Sequence, residues 1–70
     1  YAVEIQVTPS MAGVQVTVSV TGSDGYRTRV TGQTDNTGRF SVRVPGGGAG
    51  VVDLVESQAG TANARGRVVF

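Results

Sequence analysis

The charged side chains are the groups of this chain that could do chemistry, and they comprise six basic and five acidic residues in 70 positions. All the basic residues are Arg, and neither Cys nor His occurs. Ser and Thr nucleophiles therefore have no ordinary catalytic base, and Schiff-base chemistry has no amine. Asp53 and Glu56 are three residues apart, a spacing that sends two side chains to opposite faces of a β-strand. The sequence predicts a protein that is not an enzyme and carries no cofactor.

A second group of oxygen-bearing residues, Asp35, Asn36 and Thr37, could contribute ligands to Ca²⁺. That ion takes about six to eight oxygen ligands, more than one loop with a single carboxylate offers. The same residue types are typical of a tight turn, in which Asp and Asn side chains bond neighbouring backbone groups. We therefore expect no metal site and assign these side chains to the turn.

Four arginines are predicted to share one outer sheet face. They are Arg27, Arg29, Arg39 and Arg43. Two interpretations remain open: a solvated face kept soluble by long charged side chains, or a docking surface for carboxylates, acidic polysaccharide or phosphate, which Arg binds bidentately. The net charge of only +1 gives no electrostatic reason to expect nucleic acid.

Apolar and polar residues alternate along most of the chain, which is the period of a half-buried β-strand. The valines of residues 14–20 show the pattern most clearly. Clusters of Gly, Pro, Asp and Ser divide the chain, with residues 46–50 and 58–64 as loops. The predicted strands are residues 2–8, 14–21, 26–34, 39–44, 51–57 and 65–70. Alternation fails in residues 51–57, which predicts either a strand covered on both faces or a bulge.

Residues 32–44 predict a tight hairpin, the strongest local signal in the sequence. A three-residue loop, residues 36–38, places Gly38 in the left-handed region, where Gly is favoured, and sets Asp35 opposite Arg39.

That loop also predicts a register between the two strands of the hairpin. Thr34 lies opposite Phe40, Gly32 opposite Val42 and Val30 opposite Val44. The apolar members then fall on one face, and a loop of another length would lose this agreement. Tyr26 and Phe40 are expected in the core, with Tyr1 and at most one other ring free.

Residues 31–46, TGQTDNTGRFSVRVPG, resemble the T-D-x-x-G-x-F-x-x-x-x-P-G signature of bacterial Ig-like and carboxypeptidase-regulatory-like (prealbumin-type) domains. Together with residues 14–25 they cover about half of the chain. The resemblance implies a β-sandwich inside a large secreted or surface protein, where such domains serve as spacer, accessory or adhesion modules.

These observations predict a single all-β domain over residues 1–70, an Ig-like antiparallel β-sandwich of six to seven short strands. The expected function is a non-catalytic structural, spacer or adhesion module of a secreted or cell-surface protein. The alternatives are a subunit of an extracellular filament that donates residues 2–8 to a neighbour, and a small carbohydrate- or polyanion-binding module that uses the arginines.

The expected partners are neighbouring domains or identical subunits, with polysaccharide as a further candidate and no nucleic acid. No apolar run is long enough for a membrane span. Because the sequence begins at Tyr1 without Met, we expect either a processed mature protein or a piece of a longer one.

Overall fold

The computed structural model describes residues 1–70 and contains six β-strands and no helix. In chain order the strands are β1 (Ala2–Gln6), β2 (Gln15–Gly22), β3 (Arg27–Gln33), β4 (Arg39–Arg43), β5 (Val52–Ala59) and β6 (Ala62–Val69). They form two antiparallel sheets that pack together as a small β-sandwich, which confirms the predicted all-β fold class. No helix is present that could cross a membrane.

The two sheets differ in size. One has four strands in the order β3-β2-β5-β6, and the other pairs β1 with β4 only. The core lies over β2, where Val16, Val18 and Val20 are 0–1% exposed, and it includes Val44 and Val55. The predicted alternation of residues 14–20 is confirmed, because the inward valines are separated by polar side chains that point away from the core.

The predicted turn after β3 is present. The Gly38 backbone has φ of +79°, and Asp35 N–H donates to the Arg39 carbonyl at 2.9 Å. Gly38 is also crowded: a Cβ there would lie 2.9 Å from Ser10 Cα and 3.0 Å from Met11 N. Both the left-handed conformation and the lack of a side chain are therefore required at this position.

The predicted hairpin pairing is wrong. Beyond the turn β3 and β4 enter different sheets: β3 pairs with β2, so that Gly32 lies opposite Val16, and β4 pairs with β1, so that Val42 lies opposite Val3. Gly32 still approaches β4, but across the sandwich, where a Cβ would lie 2.8 Å from Phe40 Cζ. Splitting the strands covers the valine face of β2, which a single flat sheet would leave in water.

The region after Pro45 differs from the prediction in two places. β5 is neither covered on both faces nor bulged: its ladders are regular, Asp53 points inward at 2% exposure, and Leu54 stays 48% exposed. The predicted loop of residues 58–64 is a two-residue turn between Ala59 and Ala62, with Gly60 at φ +61°. Gly at the first central position is typical of a type II′ turn, which suits the twist of a hairpin.

The aromatic residues are distributed differently from the prediction as well. Phe40 packs against the core as expected, but Tyr26 is 36% exposed, because it lies in the turn before β3 and not within that strand. Tyr1 also packs against the core, with its ring centroid 5.6 Å from that of Phe70. Both ends of the described chain thus meet at one end of a molecule measuring 37 × 19 × 16 Å.

Candidate functional site

The four arginines singled out from the sequence do not form one cluster. Arg27 and Arg29 lie on β3 in the four-stranded sheet, whereas Arg39 and Arg43 lie on β4 in the two-stranded sheet. All four are exposed, and because the sheets pack through their inner faces, the two pairs point away from each other on opposite sides of the sandwich. The predicted grouping depended on the hairpin pairing and fails with it.

The register of the four-stranded sheet brings two other arginines onto the face of Arg27 and Arg29. One row across the sheet reads Arg29, Ser19, Glu56, Arg65, and the next reads Arg27, Thr21, Leu54, Arg67. Arg65 and Arg67 therefore face the same solvent as the arginines of β3, from the opposite edge of the sheet. We call this surface, the outer side of β3-β2-β5-β6, the arginine face.

Between its two edges the arginine face is polar except in the row of Arg27 and Arg67, where Leu54 is 48% exposed. A third row continues with Thr31, Thr17, Gln58 and Asn63. The Thr17 and Thr31 hydroxyl oxygens are 3.4 Å apart. A depression of about 360 Å³ lies over the middle of the face. Its lining includes Arg29, Arg65, Ser19, Glu56 and Gln58. Hydroxyl, amide and guanidinium groups are thus presented together on rigid strands.

The arginine face carries a local excess of positive charge. Arg27, Arg29, Arg65 and Arg67 are opposed there by Glu56 alone, so four positive charges minus one leave +3 on this face of a chain whose net charge is +1. The only ion pair within 4.0 Å joins Arg39 to Glu4 at 3.7 Å, and it lies on the other sheet. The four guanidinium groups of the arginine face are accordingly free to accept an anionic partner.

The sequence carries part of the signal for this surface. Arg65 and Arg67 repeat the two-residue spacing of Arg27 and Arg29, which places each pair on one side of its strand. The predicted loop of residues 58–64 contains the Gly60 turn that returns β6 beside β5, and the pairing of Arg65 with Glu56 does not follow from that loop.

The two carboxylates considered for acid–base chemistry are separated as predicted. Asp53 points into the sandwich and Glu56 points outward from the same strand. Asp53 is not paired with a cation; the Tyr1 hydroxyl donates to its Oδ2 at 2.7 Å. Burial of the phenol, and then this hydrogen bond, raise the pKa of Tyr1 to about 12. The arrangement ties the first residue to β5.

Asp35 is engaged by its own turn. Its Oδ1 accepts hydrogen bonds from Thr37 N–H at 2.9 Å, from the Thr37 hydroxyl at 2.6 Å and from Arg39 N–H at 3.1 Å. The Thr37 hydroxyl bond, followed by the two backbone bonds, holds the pKa of this carboxyl below its usual value. The assignment of Asp35 to the turn is confirmed.

A second surface feature is an apolar groove beside β1, which we call the open groove. It has a volume of about 410 Å³ and runs between β1 with its following residues and the ends of β5 and β6. Ala62, Ala64, Gly66 and Val68 form the inward side of β6, and all but the last are exposed. The two-stranded sheet is too narrow to cover them.

The arginine face is therefore the most strongly charged surface of the molecule, and the open groove is its main apolar one. The chain matches no protein-family model, no curated protein and no solved structure.

Proposed function

We propose that this chain is a non-catalytic structural and adhesion module of a secreted or cell-surface protein. The single observation that supports the proposal best is the arginine face, a largely polar sheet surface whose charged groups have no ion pairs within the molecule. The strands fix the spacing of the backbone positions that carry these side chains, so the ordering that binding requires is confined to the side chains themselves. A sheet surface is suited to contact with an extended polymer or another large partner.

Adhesion of coated beads tests this proposal. Beads that carry the chain through a C-terminal tag are washed over surfaces coated with polysaccharides or extracellular matrix proteins, and retained beads are counted. The matched control is Val18→Asp, which places a charge at a position only 1% exposed and destroys the core with a change of one residue. We expect the folded chain to be retained on at least one surface and the control on none. Equal retention of both on every surface contradicts the proposal.

The open groove favours a second candidate function, assembly by strand addition. The outer edge of β1 has no strand partner, and it runs beside the uncovered inward side of β6. A strand from a second copy could pair with β1 and cover those small residues. Donation of residues 2–8 to a neighbour, the form of assembly considered from the sequence, would require β1 to leave its own sheet, because Ala2–Gln6 is already paired with β4.

Light scattering at increasing protein concentration distinguishes this candidate. Strand addition predicts growing assemblies that Ala64→Arg abolishes, because the new side chain would occupy the open groove. Gln58→Arg is the matched control, since its position points to the outer face. A monomer at every concentration, or equal effects of the two changes, counts against assembly through the groove.

A further inference from the structure

We propose that the arginine face binds an acidic polysaccharide, with Arg27 and Arg29 at one edge and Arg65 and Arg67 at the other as the groups that contact its carboxylates or sulfates. This inference rests on the proposed adhesion function and names the chemical class of its ligand. It assigns a binding role to Arg65 and Arg67.

The positive charge of the arginine face favours an anionic ligand. Every guanidinium of the face is exposed, and none lies within 4.0 Å of a carboxylate oxygen. Each presents N–H donors in a planar fork that matches the two oxygens of a carboxylate. Apart from Glu56, the acidic side chains lie outside the rows of the face: Glu4 is on the opposite sheet, Asp53 is buried, and Asp24 and Asp35 each accept hydrogen bonds within their own turns.

The distances between the arginines favour an extended ligand. Arginines of the same strand are two residues apart, which is about 7 Å, and the two edge strands are three strand spacings apart, which is about 14 Å. A polymer crossing the sheet along one row therefore meets a guanidinium at each edge, and Arg29 and Arg65 mark the ends of the row over the polar depression.

The hydrogen-bonding side chains between the arginines favour a carbohydrate. Thr17, Ser19, Thr21 and Gln58 offer hydroxyl and amide groups, which donate to and accept from the hydroxyls of a carbohydrate. No aromatic ring belongs to the rows of the face, so it lacks the stacking platform on which single-stranded nucleic acids are held. Glu56 also lies in the centre and repels an anion, so the acidic groups of the ligand must contact the arginines at the edges while its hydroxyls meet the polar side chains between them.

Edge protection is the competing explanation of the same arginines. β3 and β6 are the two edges of their sheet, and charged side chains on edge strands prevent pairing with another sheet. The two explanations differ in outcome. Removal of the arginines weakens ligand binding if the face is a binding site, whereas it causes self-association with unchanged binding if the charges only protect the edges.

Calorimetric titration of the full chain with polygalacturonate at low salt tests the proposal, with dextran as the neutral polysaccharide and a DNA duplex as a second polyanion. The test variant is Arg29→Ser with Arg65→Ser. Its control is Arg39→Ser with Arg43→Ser, which removes the same charge from the opposite sheet. Arg27→Ser with Arg67→Ser repeats the test on the neighbouring row, in case the first variant fails to fold.

We expect polygalacturonate to bind, dextran not to bind, and the test variant to lose at least about tenfold in affinity while the control changes less than about twofold. Equal losses in the test and control variants, tighter binding of DNA than of polygalacturonate, or self-association of the test variant at unchanged affinity each overturn the inference. If polygalacturonate fails to bind but coated beads still adhere to another surface, the ligand class is wrong and the adhesion function stands. If neither binds, both are wrong.

Discussion

Tyr1 shows how much of the fold can depend on one terminal residue. Its hydroxyl donates to the buried Asp53 carboxylate, its ring contacts Phe70, and its amino group donates to the Val44 carbonyl at 2.8 Å. A buried carboxylate without a cation depends on hydrogen-bond donors, and losing one leaves a desolvation cost. The sequence predicts a free ring for Tyr1, because nothing in the pattern of β5 marks Asp53 as an inward position among Val and Leu.

Tyr1→Phe is expected to lower the free energy of unfolding at pH 7 by about 1–3 kcal/mol, since Asp53 loses its donor. The folded-state pKa of Tyr1, about 12, lies above the ordinary tyrosine value of 10.0. The native state therefore keeps a proton that the unfolded state releases, and this part of the stability, complete below pH 10, is lost as the pH rises toward 12. Urea unfolding of both proteins from pH 7 to 12 measures this. The two curves should converge at high pH.

Tyr26→Phe is the matched control for that experiment, because its ring is partly exposed and its hydroxyl makes no hydrogen bond within the chain. It should change stability at pH 7 by less than about 0.5 kcal/mol. An equal effect of the two Tyr→Phe changes would contradict the role given to Tyr1.

The strands β3 and β4 show where element-level reasoning succeeds and where it stops. Inward and outward residues on both strands follow the predicted parity, with Val30 and Gly32 inward on one and Phe40 and Val42 inward on the other. That parity is the same whether the strands pair in one sheet or face each other across a core. The sequence therefore specified the faces and the turn, while the choice of partner strands depended on the need to cover the valines of β2.

The arginine face illustrates the same limit. Strand periodicity assigns each arginine to an outer face, but which arginines become neighbours depends on the strand order, and a local pattern does not encode this order. Arg65 becomes a neighbour of Glu56 because a two-residue turn at Gly60 returns the chain. Recognition of that turn as a hairpin signal would have paired the predicted strand of residues 65–70 with β5 and set Arg65 opposite Glu56.

Gly32→Ala tests the separation of β3 and β4. A methyl group at this position collides with the Phe40 ring across the sandwich, so we expect the free energy of unfolding to fall by about 1–3 kcal/mol. Gly66→Ala on β6 is the control, because nothing lies within 4 Å of the added carbon and Ala suits a strand interior better than Gly. Chemical denaturation measures both. A tolerated Gly32→Ala would show that Phe40 does not pack there.

At the scale of the whole molecule, a four-stranded sheet is covered by a two-stranded one, and only 9 of 70 residues are buried. Stability of roughly 0.1 kcal/mol per residue gives about 7 kcal/mol for a chain of this length. Because the two-stranded sheet is narrow, burial is concentrated on β2 and the inward side of β6 stays exposed. The entire outer side of the four-stranded sheet also faces the solvent, and this side carries most of the positive charge.

Val18→Ala tests how far stability depends on this small core. Removing two buried methyl groups should cost about 2 kcal/mol, a large part of the total. Leu54→Ala, at a position 48% exposed on the arginine face, should cost less than about half as much. Urea midpoints of the two variants make the comparison, and similar losses would mean that the core does not lie over β2.

The central claim is that the binding surface is assembled across the four-stranded sheet and not along the β3–β4 turn. An NMR titration of the isotope-labelled chain with polygalacturonate oligomers, followed at the arginine Nε–Hε signals, tests it most directly. We predict that the signals of Arg27, Arg29, Arg65 and Arg67 shift together with one saturation curve, while those of Arg39 and Arg43 stay in place. Shifts centred on Arg39 and Arg43, or no shift at any arginine, would contradict the account.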